Sequence, residues 1–378
     1  MKSSRCNRVV QMVLLILLTV FAGTWALGRA TSGYEQARER RESAARLTKK
    51  LSSACVGRFL IDLPEGAQVA LGRARIDGFD IEIFDESHDE FQSRLTQREA
   101  QLQKLPDRAG GSHNLEAITV VKNENGVAGK IFVHGRTVTE GQSPDGLTIE
   151  RYRYEGVAVK ALVHAGDLSI DVATDFYDPE SVGNLERLVA QLVPNPESRI
   201  PSEPGFCLDR AYIREPLTAA QREQIMMSAL HPSRPDIEFR MILAAGTAPD
   251  AQGLLARAAD SNARLTPDES RRVTRLRGRT RTINGLAGEE LIEQFEEESG
   301  VTDYSFWWEV NGTENNVFIP HVVFDMTTTH GKGGQVTTAI SKNDALVLWD
   351  TVSSSIRLRP PVPAHTIRRE KSAVQEGR

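Results

Sequence analysis

Four arginines alternate at Arg275, Arg277, Arg279 and Arg281. Side chains on a β-strand repeat with period two, so a strand here would point all four to one side. Such a stripe could bind an acidic partner or phospholipid headgroups. It could equally pair with carboxylates on a neighbouring strand. Asn284-Gly285 is a strong hairpin turn, and the segment after it carries Glu289, Glu290, Glu293 and Glu296 to Glu298. Pairing across that hairpin is the simpler use of the arginines. The acidic run could hold a cation, but a solvated strand face is its plainer reading. Trp307 is a further candidate. Alternation puts Tyr304, Phe306, Trp308 and Val310 on one face and Trp307 on the other, with Ser305 and Glu309. An earlier stretch, Tyr152-Arg153-Tyr154-Glu155, has Arg153 in the matching place. A tryptophan where a sibling position tolerates charge is a candidate interface anchor. Packing against a helix or the other half of the chain is the alternative.

Catalytic signatures are absent. The sequence holds no G-x-S-x-G, H-E-x-x-H, phosphate-binding loop or dinucleotide-binding glycine pattern. Gly141-Gln142-Ser143-Pro144-Asp145 misses the nucleophile-elbow pattern at its last position, and its Pro-Asp-Gly reads as a hairpin turn. His88, His113, His134, His164, His231, His321, His330 and His365 show no metal-ligand spacing. No cofactor or metal is expected. A net charge of −5 with both signs interspersed argues against nucleic acid as a partner.

The elements that must position these residues come in two similar sets. Residues 55–64 and 207–216 both fit C-x-x-R-x-x-I-x-x-P. Asp80-Ile81-Glu82-Ile83 is echoed by Asp236-Ile237-Glu238-Phe239, and Asn125-Gly126-Val127-Ala128-Gly129 by Asn284-Gly285-Leu286-Ala287-Gly288. Three marks in one order imply a duplication with a period of about 150 residues, an ordinary domain length. In the first copy, strands are expected at Val56 to Leu63 and within Ala70 to Phe84, then a helix over Asp89 to Leu105. An antiparallel meander over Ile118 to Thr174 and an amphipathic helix over Pro179 to Leu192 follow. The second copy repeats this order and closes with a helix over Asp344 to Ile356. The fold class is α+β: two tandem related lobes, each a mostly antiparallel sheet with helices packed on it. The expected boundaries are 53–194 and 205–360, joined by a Pro-rich linker at 195–204, with a disordered tail at 361–378.

Lys2, Arg5 and Arg8 precede an apolar run from Val9 to Leu27. The run is long enough to span a bilayer, and Thr24-Trp25-Ala26 offers a small-x-small cleavage site. Residues 1–33 are therefore a membrane anchor or a signal peptide, and 34–52 a charged helical linker. Both readings put the lobes in the periplasm, with an inner-membrane anchor if the run is retained. Beyond it the only cysteines are Cys55 and Cys207. An oxidising compartment allows them one bridge, which would form only near a pseudo-symmetry axis because the two positions are equivalent. Two buried thiols are the alternative.

At these residues the sequence resembles a family. The Cys55 to Pro64 stretch, Ile76-Asp77-Gly78-Phe79-Asp80, Gly205-Phe206-Cys207 and the stretch from Phe324 to Leu358 are similar to the two-lobed, Tle-cognate immunity proteins of type VI secretion phospholipase effectors. The resemblance spans about Ser53 to Pro360. It implies a non-enzymatic periplasmic protein that binds and inhibits a cognate lipase or phospholipase effector. It carries over no catalytic residues and no contact residues. Two lobes on a linker would engage one target with a gain in effective concentration. The alternative from another class is a membrane-anchored envelope scaffold or sensor that binds a resident protein.

Overall fold

The computed structural model describes residues 47–106, 113–145, 148–214, 221–298, 300–328, 338 and 340–359. The apolar run from Val9 to Leu27 and the tail at 361–378 lie outside them. Among the described residues no helix is long and apolar enough to cross a membrane. The expected linker helix reaches only to residue 49 within the described part, and a strand has begun by Leu51.

The first half runs β1 (Leu51–Val56), β2 (Phe59–Pro64), β3 (Gln68–Leu71), β4 (Ala74–Ile76), β5 (Phe79–Asp85), α1 (His88–Gln103), β6 (Leu115–Lys122), β7 (Ala128–Asp145), β8 (Thr148–Ala165), β9 (Leu168–Tyr177), α2 (Gly183–Gln191) and β10 (Leu192–Pro194). The second runs β11 (Gly205–Leu208), β12 (Ala211–Arg214), β13 (Glu223–His231), β14 (Arg234–Ala245), α3 (Leu254–Asn262), α4 (Pro267–Arg272), β15 (Val273–Ile283), β16 (Leu286–Glu296), β17 (Thr302–Val310), β18 (His321–Thr327), α5 (Lys342–Ser353) and β19 (Arg357–Leu358).

Each half brings its own antiparallel run of strands, and the two runs are joined edge to edge. Outward from the joint the order is β4-β5-β9-β8-β7-β6 on one side and β13-β14-β18-β17-β16-β15 on the other. The strands take the same chain roles in the same positions, as a duplication requires. At the joint, β3 and β4 lie end to end along β13, with Leu71 opposite Met227 and Ile76 opposite Glu223. The sheet therefore has 13 strands and does not stop at the lobe boundary. The tethered-lobe expectation is corrected accordingly. Residues 195–204 connect two halves already locked together, and Asn195 N–H donates to the Arg210 carbonyl at 2.7 Å.

Two small sheets cross the joint as well. β10, which ends the first half, pairs with β12 of the second half's opening hairpin. β19, which ends the second half, pairs with β2 of the first half's hairpin. The single strand expected over Val56 to Leu63 is in fact this β1–β2 hairpin, turned at Gly57 (φ +54°). A Cβ there would also press on the Phe206 ring. Gly57 and Cys207 exchange backbone hydrogen bonds of 3.2 and 2.8 Å. Beside them Cys55 and Cys207 form a disulfide, with Cα atoms 5.9 Å apart. The buried Arg58 guanidinium donates to both Glu223 oxygens, at 2.8 and 2.7 Å, and so ties the first hairpin to β13.

One core runs through both halves, under the sheet face that carries α2, α5 and the small sheets. On β14, Ile237, Phe239, Met241 and Leu243 alternate into it. Trp349 of α5 stacks on Phe324 at 5.1 Å and meets Phe306 at 5.5 Å. A smaller cluster lies on the opposite face, where Phe91, Leu95 and Leu102 of α1 cover Phe132 and Leu162. α1 starts at Ser87 with a capping box to Glu90. It ends before Leu105, which is exposed.

Two stability predictions follow from the joint. Glu223→Ala leaves a buried guanidinium without its carboxylate and should cost about 3–5 kcal/mol in chemical denaturation, where Glu223→Leu with Arg58→Met costs much less. The disulfide spans 152 residues. Reducing it should lower the unfolding free energy by up to about 5 kcal/mol, seen as a drop in the denaturation midpoint with a reductant.

Candidate partner-binding surface

The arginine stripe is divided by a bulge. The β15–β16 register shifts between Arg275 and Arg277, so the four side chains do not share one side. Arg277, Arg279 and Arg281 face α5, and all three converge on Glu290. That carboxylate is 0% exposed. Arg279 Nε donates to it at 2.8 Å, Arg281 Nη1 donates to Oε1, and Arg277 Nη1 lies 3.9 Å away. Trp349 Nε1 donates to the same Oε1 at 2.9 Å. Arg277 also holds Asp350 of α5 through two bonds of 2.6 and 2.9 Å, which raises its pKa above the usual arginine value. Arg275 points to the other face and meets Glu293 at 3.3 Å. The acidic run is structural in its first part, and only Glu296 and Glu298 are exposed. Glu290 and Glu293 are buried, and Glu289 accepts from the Leu255 N–H in the first turn of α3. Of the four arginines, Arg279 keeps the most exposed side chain, at 55%.

Trp307 lies on the sheet face opposite the main core. Register across the strands sets Ser228, Arg240, Asp325, Trp307 and Leu291 in one transverse row. Trp307 is half-buried and its Nε1 donates to Ser305 Oγ at 2.7 Å. Next to it Arg240 Nε donates to Asp325 Oδ1 at 2.9 Å. Burial pushes the Asp325 carboxyl above its ordinary pKa, and Arg240 opposes that shift. The row carries on toward the joint beside Met226, an exposed methionine. The register also corrects the sibling position. Trp307 pairs with Leu291, and Phe132, at the same distance from its Asn-Gly turn as Leu291, pairs with Lys160. Lys160, not Arg153, stands where Trp307 stands.

Arg153 belongs to a feature that sequence reasoning missed. β7 and β8 continue as a ribbon from Val138 to Glu155, and among the described residues no third strand pairs with it. The matching β16–β17 hairpin closes at Glu296 and Thr302, where this arm begins. One face of the arm carries a row of aromatic rings. Phe176 lies where a Cβ of Gly156 would stand, and Tyr152 lies across Gly141. Tyr152 and Tyr154 stack at 5.3 Å, and Tyr154 is 60% exposed. The signal was the Tyr-x-Tyr alternation with a glycine on the facing strand. Gly141 to Asp145 lies in β7 of this arm, with Ser143 opposite Glu150, and the turn beyond it falls outside the described residues.

Groups able to hold a metal are scarce. His164 stacks on Phe91 at 4.9 Å and shares a hydrogen bond with Ser169, and His134 contacts Arg98. Among the described residues, one set of three potential ligands comes together: Asp250, Glu309 and His321.

Comparison with known proteins places this architecture. The model of the Tle cognate immunity protein 4 N-terminal domain matches residues 52–170, and that of its C-terminal domain matches residues 199–361. No curated protein matches the chain. Among solved structures, an immunity protein TplEi of the type VI secretion system from Pseudomonas aeruginosa, complexed with an "L" peptide, aligns with a TM-score of 0.64 at 23% identity. The alignment covers 83% of this chain and 100% of that one. A Tle4-Tli4 complex aligns with a TM-score of 0.64 at 23% identity, over 82% of this chain and 98% of that one. At such identities the likeness is one of fold. The two domain models together take in most of both halves of the sheet, and the chain belongs to the Tle cognate immunity protein 4 family.

Proposed function

We propose that this chain is a non-enzymatic, exported immunity protein that binds and inhibits a type VI secretion phospholipase effector. The observation that carries the reading is the match of both domain models, in order, to the two halves. The Cys55–Cys207 bridge supports an oxidising compartment such as the periplasm. The solved Tle4-Tli4 complex supports an effector as the partner. The basic, apolar N-terminus supports export, as a cleaved signal or as an inner-membrane anchor at 9–27. An inhibitor needs a rigid surface, and blocking substrate access or lid movement is enough to stop a lipase.

Two surfaces suit that role. One is the open sheet face around Trp307. The other is the aromatic row Phe176, Tyr154 and Tyr152 on the arm. Tyrosine and tryptophan supply large contact area with few rotors to freeze, which is why they anchor interfaces. Arg279 and Arg275 are weaker candidates, since Glu290 and Glu293 already hold them. Because the halves share one sheet, the inhibitor acts as a single rigid body and gains nothing from a flexible tether.

Cells that express the cognate type VI lipase effector in the periplasm should survive when the full chain is present and die without it. Removing residues 1–27 should abolish protection and leave binding to the purified lipase intact. Failure of the chain to bind or neutralise any type VI lipase effector of the same cell would overturn the reading. Trp307→Ala should weaken lipase binding by about 2 kcal/mol in calorimetry, and Tyr154→Ser by a comparable amount, if both anchor the complex. Unchanged affinity for either variant removes that surface from the interface.

A further inference from the structure

We infer that Asp250, Glu309 and His321 form a site for a divalent transition-metal ion of the zinc class. They come from three elements: the loop before α3, the end of β17 and the start of β18. Each offers one ligand atom, and these atoms all lie within 4.8 Å of one another. Two ligands of a tetrahedral zinc, each about 2.0–2.1 Å from the metal, stand about 3.3 Å apart. Glu309 Oε1 and His321 Nε2 stand 3.6 Å apart. That is already near the separation a shared ion needs and too long for a hydrogen bond.

The independent observation is the unmet bonding of the buried atoms. Glu309 is 4% exposed, and its Oε1 has no hydrogen-bond partner. His321 Nε2 is buried and has no hydrogen-bond partner either, its close polar neighbour being Glu309 Oε1. These two atoms face each other at ion-pair distance, without a hydrogen bond between them. A buried polar atom left unpaired is costly, and an ion between the two would satisfy both. Asp250 is already held in place. Its N–H donates to Asn311 Oδ1 and its carbonyl accepts from Asn311 Nδ2, both at 2.7 Å.

Charge permits the ion. Arg257 Nη2 binds Glu309 through the other oxygen, Oε2, at 2.5 Å, and its Nη1 lies 3.7 Å from Asp250 Oδ2. Two carboxylates and one guanidinium leave one negative charge, and the His321 imidazole would bind the ion in its deprotonated form. The donor set of one nitrogen and two carboxylate oxygens, with water as the fourth ligand, suits zinc rather than calcium or magnesium, which favour all-oxygen sites. The ion would pin the 246–253 loop and the start of α3 onto β17 and β18. Glu309 and Trp307 lie on the same face of β17, so the ion would brace the surface around Trp307.

The test uses the full chain without a histidine tag, stripped with a chelator and titrated with zinc chloride by calorimetry. One ion per chain is expected. His321→Ala and Asp250→Asn should each weaken binding by about tenfold or more, and His231→Ala should leave it unchanged. Asp250 is exposed, so Asp250→Asn should keep the wild-type circular dichroism, and a loss of zinc there cannot come from misfolding. Cobalt should give the intense visible absorption of a four-coordinate site in the wild type and lose it in His321→Ala. Absence of stoichiometric binding overturns the inference. So does equal affinity in the wild type, His321→Ala and Asp250→Asn, which would assign the zinc to other surface groups.

Discussion

Everything in this molecule depends on the pairing of two sheet edges. Each half alone would end in an exposed strand: β3 and β4 on one side, β13 on the other. An exposed strand edge invites pairing with other chains. Here each edge is the other's partner, and the joint becomes the middle of one sheet. The exchange of β10 and β19 between the opening hairpins then adds backbone bonds that neither half could make alone. Arg58 with Glu223, and Cys55 with Cys207, fix the same region through side chains. The halves are therefore domains by descent and one unit by structure. Separated halves would expose their edges, so a fragment's failure to bind would say little about where the partner sits.

The shared plan also shows where the halves diverged. The main core face is full in both. Glu290, however, stands where the first half, counted from its Asn-Gly turn, has the buried aliphatic Ile131. A buried carboxylate with three guanidinium groups gains little over apolar packing in stability. Its geometric effect is larger: with Asp350 it ties β15 to α5 in one arrangement. On the other face the second half has Trp307 where the first has Lys160, which pairs with Asp171 at 3.1 Å. The first half alone has the long arm. Apart from the Glu290 cluster, these differences lie on the face opposite the main core and in the arm, where packing constrains the sequence less.

Much of this was legible in the sequence, and the failures have physical causes. The duplication could be read because turn and cap residues are tied to backbone geometry, as at Asn284 (φ +45°) and Gly285 (φ +89°). α1, α2 and α5 could be read from their apolar spacing. β13 was missed because Gln-Ile-Met-Met-Ser-Ala-Leu is as helical in propensity as it is strand-like, and only pairing with β3, β4 and β14 decides it. The arginine stripe was misread by one residue, since a bulge reverses every side chain beyond it. Within the first half's meander, Gly156 looks like a strand break, yet it makes room for the Phe176 ring and β8 runs through it. The set of Asp250, Glu309 and His321 has no local spacing at all, because its members meet only when the loop before α3 folds over β17 and β18.

The face around Trp307, proposed above as a partner surface, must also live in water. The row beside Trp307 suggests how both are met. Asp325 is 3% exposed, and its charge is met by Arg240 within the sheet. A partner that covers this row need not supply a counter-charge, which spares part of the usual desolvation cost of a polar interface. Trp307 spends its single donor on Ser305 and keeps its ring available for contact. Charges already satisfied around a central aromatic ring give a face that is soluble when free and inexpensive to bury. Such a face stays in shape only if the sheet beneath it is rigid, and the edge-to-edge joint supplies that rigidity.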